Sequence, residues 1–117
     1  MASNVEPSDL PRHLAHYGPR ATVLTVSDAF APHVGTSLVE LIDERLVFSV
    51  GPSAAGHLAA RPTLCLTWTP PPGEDYQLIL DAIADAVTPQ GGGFRVSAVV
   101  GRGIRHRVAD AAADGPS

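Results

Sequence analysis

The chain has no lysine: all eight basic residues among its 117 are arginines. Set against twelve acidic residues they leave a formal charge of −4, and most of them stand singly. A general nucleic-acid binder needs a concentrated basic face, so nucleic acid is not an expected partner. There is one cysteine, Cys65, which excludes an intramolecular disulfide and a multi-cysteine metal site. Its apolar strand context reads as a buried, inert thiol rather than a nucleophile. No apolar run reaches the roughly 18 residues of a membrane span. The start MASNVEPSDLPRH has neither the basic opening nor the apolar centre of a signal peptide. The expectation is a cytoplasmic protein with no membrane partner.

What is present reads as globular. Hydrophobic residues make up 44% and charged ones 17%, enough for one core in a single domain over 1–117. A chain this small gains from burying further surface in a dimer. Residues 1–7 are polar and read as loose. Ser8-Asp9-Leu10-Pro11 opens a short helix with Ser8 as its cap, Leu10, Leu14 and Tyr17 on one face, and Gly18-Pro19 as its stop. ATVLTVSD (21–28), HVGTSLVEL (33–41) and LVFSV (46–50) follow as three β-branched strands with short turns, an antiparallel meander. After a helix at 53–60, TLCLTWT (63–69) is a fourth strand.

YQLILDAIADAVT (76–88) fits both helical spacing and alternation. The Gly91-Gly92-Gly93 turn and the clear strand FRVSAVVG behind it favour a strand paired as a hairpin. The core spans about 8–108, and the tail 109–117 has nothing to bury and is expected to be disordered. The fold class is therefore mainly β (α+β). Six mostly antiparallel strands, a short N-terminal helix and a helix between the third and fourth strands predict a small closed or split barrel, a form that removes exposed sheet edges.

The densest signal is RLVFSVGPSAAGHLAARPTLCLTWTPPP (45–72). It places a helix N-terminus, with unpaired N–H groups, at the C-terminal end of a strand, a natural seat for an anion. Ser53 there reads either as a plain N-cap or as a ligand of such an anion. His57, one turn on, either faces the same cleft or is solvated.

The succession PHVGTSLVE, RLVFSVGPSAAGHLAARP and TLCLTW resembles the FMN-binding split-barrel family of pyridoxamine 5′-phosphate oxidase. The likeness includes the proline opening the second strand, Pro32, and a strand–S-x-x-x-x-L-x-x-x-P block carried by Ser53, Leu58 and Pro62. WTPPPGEDYQLILDAIADAV and RVSAVVGRGIRHRV extend the resemblance over roughly residues 8–108. It implies a homodimer with two flavin sites between subunits, and flavin-mediated oxidoreductase chemistry on a small molecule. It nominates Thr36 and Ser37, Ser49 and Val50, Ser53 and His57 for the phosphate and ribityl face. Trp68 would border the ring or the dimer contact, and Arg61 or Arg105 would reach the phosphate, from either subunit. A deazaflavin can replace FMN on such a scaffold.

Family members that hold FMN tightly carry a basic residue on the second strand and another just after the helix-start serine. Here those places hold Gly35-Thr36-Ser37 and Ala54-Ala55. Two missing charge-assisted contacts would weaken phosphate binding by about 10²-fold or more. The alternative is thus a non-catalytic binding protein that keeps the barrel and has lost tight FMN binding.

Other candidates have plainer readings beside the functional ones. His13 and His16 share a helix but lack acidic or cysteine companions, so a metal site is not expected. Arg105 and Arg107 alternate on a strand end, facing either solvent or an anion. Asp81 and Asp85, about 13 Å apart at strand rise, are too distant for a paired-carboxylate site of the retaining kind. Trp68 packs in a core or an interface more readily than against a cofactor.

Overall fold

The computed structural model describes residues 2–109. The expected tail lies almost wholly outside these residues. Eight strands and two helices follow in order: β1 (Ala2–Asn4), α1 (Leu10–Tyr17), β2 (Arg20–Val26), β3 (Pro32–Leu38), β4 (Glu40–Ile42), β5 (Arg45–Val50), α2 (Pro52–Ala60), β6 (Thr63–Trp68), β7 (Tyr76–Gln90) and β8 (Gly93–Arg107). Every pairing is antiparallel, in the order β3-β2-β6-β7-β8-β5-β4, with β1 beside β8.

The sheet's two end strands, β3 and β4, are consecutive in the chain and separated only by Val39. Val39 is buried and its N–H donates to the Pro19 carbonyl at 2.7 Å. The chain thus bends at Val39 and carries one edge of the sheet across to the other. This corrects two expectations. The segment 33–41 is two strands rather than one, and 21–50 is not a meander, because β5 pairs with β4 and β8 while β3 pairs only with β2. Between β3 and β5 the gap is spanned by the Ser37 hydroxyl, which donates to the Ser49 carbonyl at 2.7 Å.

The segment 76–88 is a strand, and its hairpin with β8 is the longest pairing in the fold. Two irregularities bend it: Gly101 is the extra residue on β8, and Asp85 the extra residue on β7. Asp85 there accepts a 2.7 Å bond from Arg45 Nε, while Asp81 lies beside Cys65 on the neighbouring strand. The two carboxylates therefore answer to different partners.

The first residues, expected to be loose, form β1, because Val5 is buried against Gly103 and its N–H donates to the Gly103 carbonyl at 2.8 Å. A Cβ at 103 would meet Leu80 Cδ2 at 2.7 Å and Val5 Cβ at 3.1 Å, so a side chain there would force Leu80 and Val5 to shift. The core is built from the inward alternates of the strands, among them Val23, Leu46, Phe48, Leu64, Leu66, Trp68, Leu78, Leu80, Val96 and Ala98. Neither expected serine is a helix cap. Asp9 precedes α1, after a 3₁₀ turn at Pro7–Asp9, and Gly51 caps α2 with Pro52 at its first position. No helix is long and apolar enough to cross a membrane.

Candidate functional site

The C-terminal end of β5, the start of α2 and the middle of β3 enclose a cleft of about 190 Å³. Its walls include His33, Thr36, Ser37, Ser49, Val50, Gly51 and Ala54. Four of the residues nominated from the sequence, Thr36, Ser37, Ser49 and Val50, thus meet in one place. The Ser37–Ser49 bond holds the two strands at the separation that opens the cleft. Ser53 sits exposed at the second position of α2 rather than at its cap. Because Pro52 has no N–H, the first amides of α2 open to an anion are those of Ser53 and Ala54.

A second cleft of about 430 Å³ shares Thr36, Ser37 and Ser49 and extends along β4 and β5 to Gln90 and Arg95. Arg95 was not singled out from the sequence. On β8 it stands directly opposite Ser49 of β5, and its exposed guanidinium makes no ion pair among the described residues. The second cleft also carries Glu40. An arginine thus lines the second cleft from the last strand rather than from the second expected strand or α2. The barrel order, not the chain order, places it there. The one signal available beforehand was an arginine opening an otherwise apolar strand.

At the other side of the small cleft, His33 of β3 lies edge-to-face with His57 of α2, ring centroids 5.3 Å apart. His57 Nδ1 is 3.0 Å from the hydroxyl of Thr25, a polar side chain almost fully buried on β2. Both rings are half-buried.

The remaining nominees are not brought to the cleft within one chain. Arg61 lies at the far end of α2, roughly 12 Å of helix from Ser53. There it donates to the Ser27 carbonyl at 2.9 Å, lies 3.7 Å from Asp28 and covers the Phe30 ring at 4.5 Å. Trp68 is 1% exposed, and its indole N–H donates to the Gly18 carbonyl, which makes it a core residue.

Arg105 belongs to a separate cluster at the other end of β8. It donates to Glu74 at 2.7 Å and to the Tyr17 hydroxyl at 3.2 Å, over the Tyr76 ring. Arg107 also lies over Tyr76, 3.7 Å from Asp75. In the same cluster His16 contacts Glu74 at 3.1 Å. His13 is buried, and burial, then the Arg12 and Arg105 charges, push its pKa down. Among the described residues no three histidine, cysteine or acidic side chains converge as a metal site.

The outer face of β2, β3 and β6 carries the row Val34–Leu24–Cys65 in register. An apolar groove of about 470 Å³ runs there past Val26, Ile83, Asp81 and Arg102. Burial, then the charge of Asp81 and a hydrogen bond to it, push the Cys65 thiol up to about 11, so it is a poor nucleophile.

No family model and no curated protein matches the sequence. Solved structures do match. A protein related to general stress protein 26, of the pyridoxinephosphate oxidase family, from Clostridium acetobutylicum superposes with a TM-score of 0.68 at 11% identity, covering 88% of this chain and 91% of that one. The fold is the pyridoxamine 5′-phosphate oxidase-like split barrel. An F420 reductase superposes on this split barrel at 0.64 with 11% identity, over 76% of this chain and 91% of its own. The heme storage protein HutZ from Vibrio cholerae gives 0.64 at 12% identity, over 90% and 96%. At such identities the likeness is one of fold.

Proposed function

We propose that the protein is a homodimeric flavin-binding split barrel, with FMN as cofactor and redox chemistry on a small molecule as its activity. The observation that carries this reading is the convergence of Thr36, Ser37, Ser49 and the first amides of α2 at one cleft, with Arg95 in a second cleft that shares Thr36, Ser37 and Ser49. A phosphate monoester carries about −1.5 to −2 charges near neutral pH and has three acceptor oxygens. Hydroxyls and helix amides match the oxygens, and one guanidinium matches much of the charge. The second cleft, at about 430 Å³, is within the roughly 300–1,000 Å³ of small-molecule sites.

When bound, the flavin supplies the electron or hydride transfer. The chain's own residues bind and orient it. Arg95 and the Thr36 and Ser49 hydroxyls hold the phosphate end, Val50 and Ile42 give apolar contact, and the Ser37 hydroxyl keeps β3 beside β5. No side chain in the cleft is required as an obligatory acid or base. The outer row Val34–Leu24–Cys65, with exposed Leu38 and Ile83, is the surface we assign to the second copy. Val34, Leu38 and Ile83 are each more than half exposed in the single chain.

The F420 reductase among the structural relatives keeps a deazaflavin as an alternative cofactor. Glu40 in the second cleft, the one arginine in its lining and the heme storage relative favour the second reading, a non-catalytic binding protein. The absorption spectrum of the purified protein, followed by titration with FMN and with a deazaflavin, separates them. Flavin bands or saturable binding support the first reading. A colourless protein that binds neither overturns it.

A further inference from the structure

We propose that Phe30 is the anchor by which one copy of this chain docks on another, its ring entering the second copy's apolar groove along Leu24, Val26, Cys65 and Ile83. This rests on the homodimer reading above and names the contact that makes the dimer. Among the described residues Phe30 is the most exposed large apolar side chain, at 74%. It stands in the turn between β2 and β3 with φ of +60°, a region that a bulky side chain seldom adopts and that costs free energy. Hydrogen bonds hold the turn in that form. The Ser27 N–H donates to the Ala31 carbonyl and the Phe30 N–H to the Ser27 carbonyl, each at 2.9 Å, and the Ala31 N–H donates to the Ser27 hydroxyl at 3.1 Å. Arg61 lies over the ring with its guanidinium 4.5 Å from the centroid. The backbone is thus strained to keep an aromatic ring in water, which stabilises nothing in the single chain. A fixed, exposed aromatic side chain is the usual material of a binding hot spot.

A second copy fits this anchor in place, size and charge. The groove reaches Val26, the last residue of β2, and the turn that carries Phe30 begins at the next residue. A knob and a groove side by side on one patch are what two copies exchange across a two-fold axis. The groove, at about 470 Å³, has room for a phenyl ring. Asp28 and Arg61 stand beside the knob, 3.7 Å apart. Asp81 and Arg102, opposite one another on β7 and β8, stand beside the groove. Each copy therefore offers one charge of each sign to meet its opposite, Arg61 for Asp81 and Asp28 for Arg102. Leu24 and Cys65 also make this groove continuous with the outer row already assigned to the second copy.

The test reads the strength and the geometry of the dimer separately. Sedimentation equilibrium gives the dimer dissociation constant of the wild type, and Phe30→Gly should raise it by at least about 30-fold. Glycine accepts the positive φ, so the turn is retained, and far-ultraviolet circular dichroism checks that it is. The geometry is read by cross-linking, with the anchor left in place. Ala29→Cys in one chain and Thr63→Cys in another, both with Cys65→Ala, put single thiols beside the knob and in the groove. A short bismaleimide should join the two chains when they are mixed, and Ser8→Cys in place of Thr63→Cys should give no such product. A wild-type dimer whose strength ignores Phe30→Gly, or a mixture that gives no cross-link, overturns this contact and leaves the homodimer reading standing. A wild-type chain that stays monomeric overturns both.

Discussion

The Trp68 indole N–H donates to the Gly18 carbonyl at 2.9 Å, tying the end of α1 to the last residue of β6. Gly18 has φ of +89°, a backbone conformation in which glycine is favoured, so its carbonyl is aimed by the turn itself. Trp68→Phe removes the donor and leaves both a buried acceptor and a cavity. The expected cost is roughly 2–4 kcal/mol. That corresponds to a melting temperature lower by about 10 °C, followed by circular dichroism. Flavin affinity should not change, because Trp68 lies apart from the cleft. An unaltered melting temperature would show that the packing around Trp68 is not as described.

Glu74 is the hub of the loop between β6 and β7, bonded to the Tyr76 N–H, His16 and Arg105. Burial pushes its carboxyl up, but the Tyr76, His16 and Arg105 contacts outweigh this and hold it below the usual value. A carboxylate with a depressed folded pKa contributes stability that is present above its unfolded pKa, ~4.3, and is lost as pH falls through the folded value. Wild-type stability should therefore decline below about pH 4.5, and Glu74→Gln should flatten part of that decline. Urea melts from pH 7 to pH 3 provide the check. Parallel slopes for the two proteins would rule out this carboxylate as a source of the acid sensitivity.

Cys65, with its thiol raised to about 11 by burial and by Asp81, should react slowly with an aromatic disulfide reagent at pH 8. Against an unperturbed cysteine the thiolate fraction alone slows it by about 10²-fold. Asp81→Asn should speed the reaction by removing a like charge. A wild-type rate equal to that of a free thiol would contradict the described environment.

Much of the fold was legible because the signals were local. The alternation of TLCLTW, the prolines bounding α2 and the glycine turn before β8 depend only on neighbours in sequence. The segment 76–88 was readable as a strand only through its partner. What the sequence did not reveal depends on contacts across the barrel. Ala2–Asn4 is ordered because Val5 finds Gly103, a hundred residues away, and the break at Val39 exists because β3 and β4 must serve opposite edges of one sheet.

The site divides in the same way. Thr36, Ser37, Ser49 and Val50 lie in the motif block and were found together. Arg95 and His33 were missed, since their place in the site follows from strand order. Arg61, Trp68 and Arg105 carried suggestive chemistry in the sequence, but their partners in this chain lie elsewhere.

The most direct measurement of the central claim is a fluorescence titration comparing FMN with riboflavin, which lacks the phosphate, on the wild type and on Arg95→Ala. A charged hydrogen bond contributes about 1.5–3 kcal/mol, or roughly 10- to 100-fold in affinity. FMN should bind the wild-type protein more tightly than riboflavin by about that factor, and Arg95→Ala should remove most of the difference. Equal affinity for the two ligands, or an FMN preference that survives Arg95→Ala, would contradict a phosphate seat beside Arg95 in the cleft along β4 and β5.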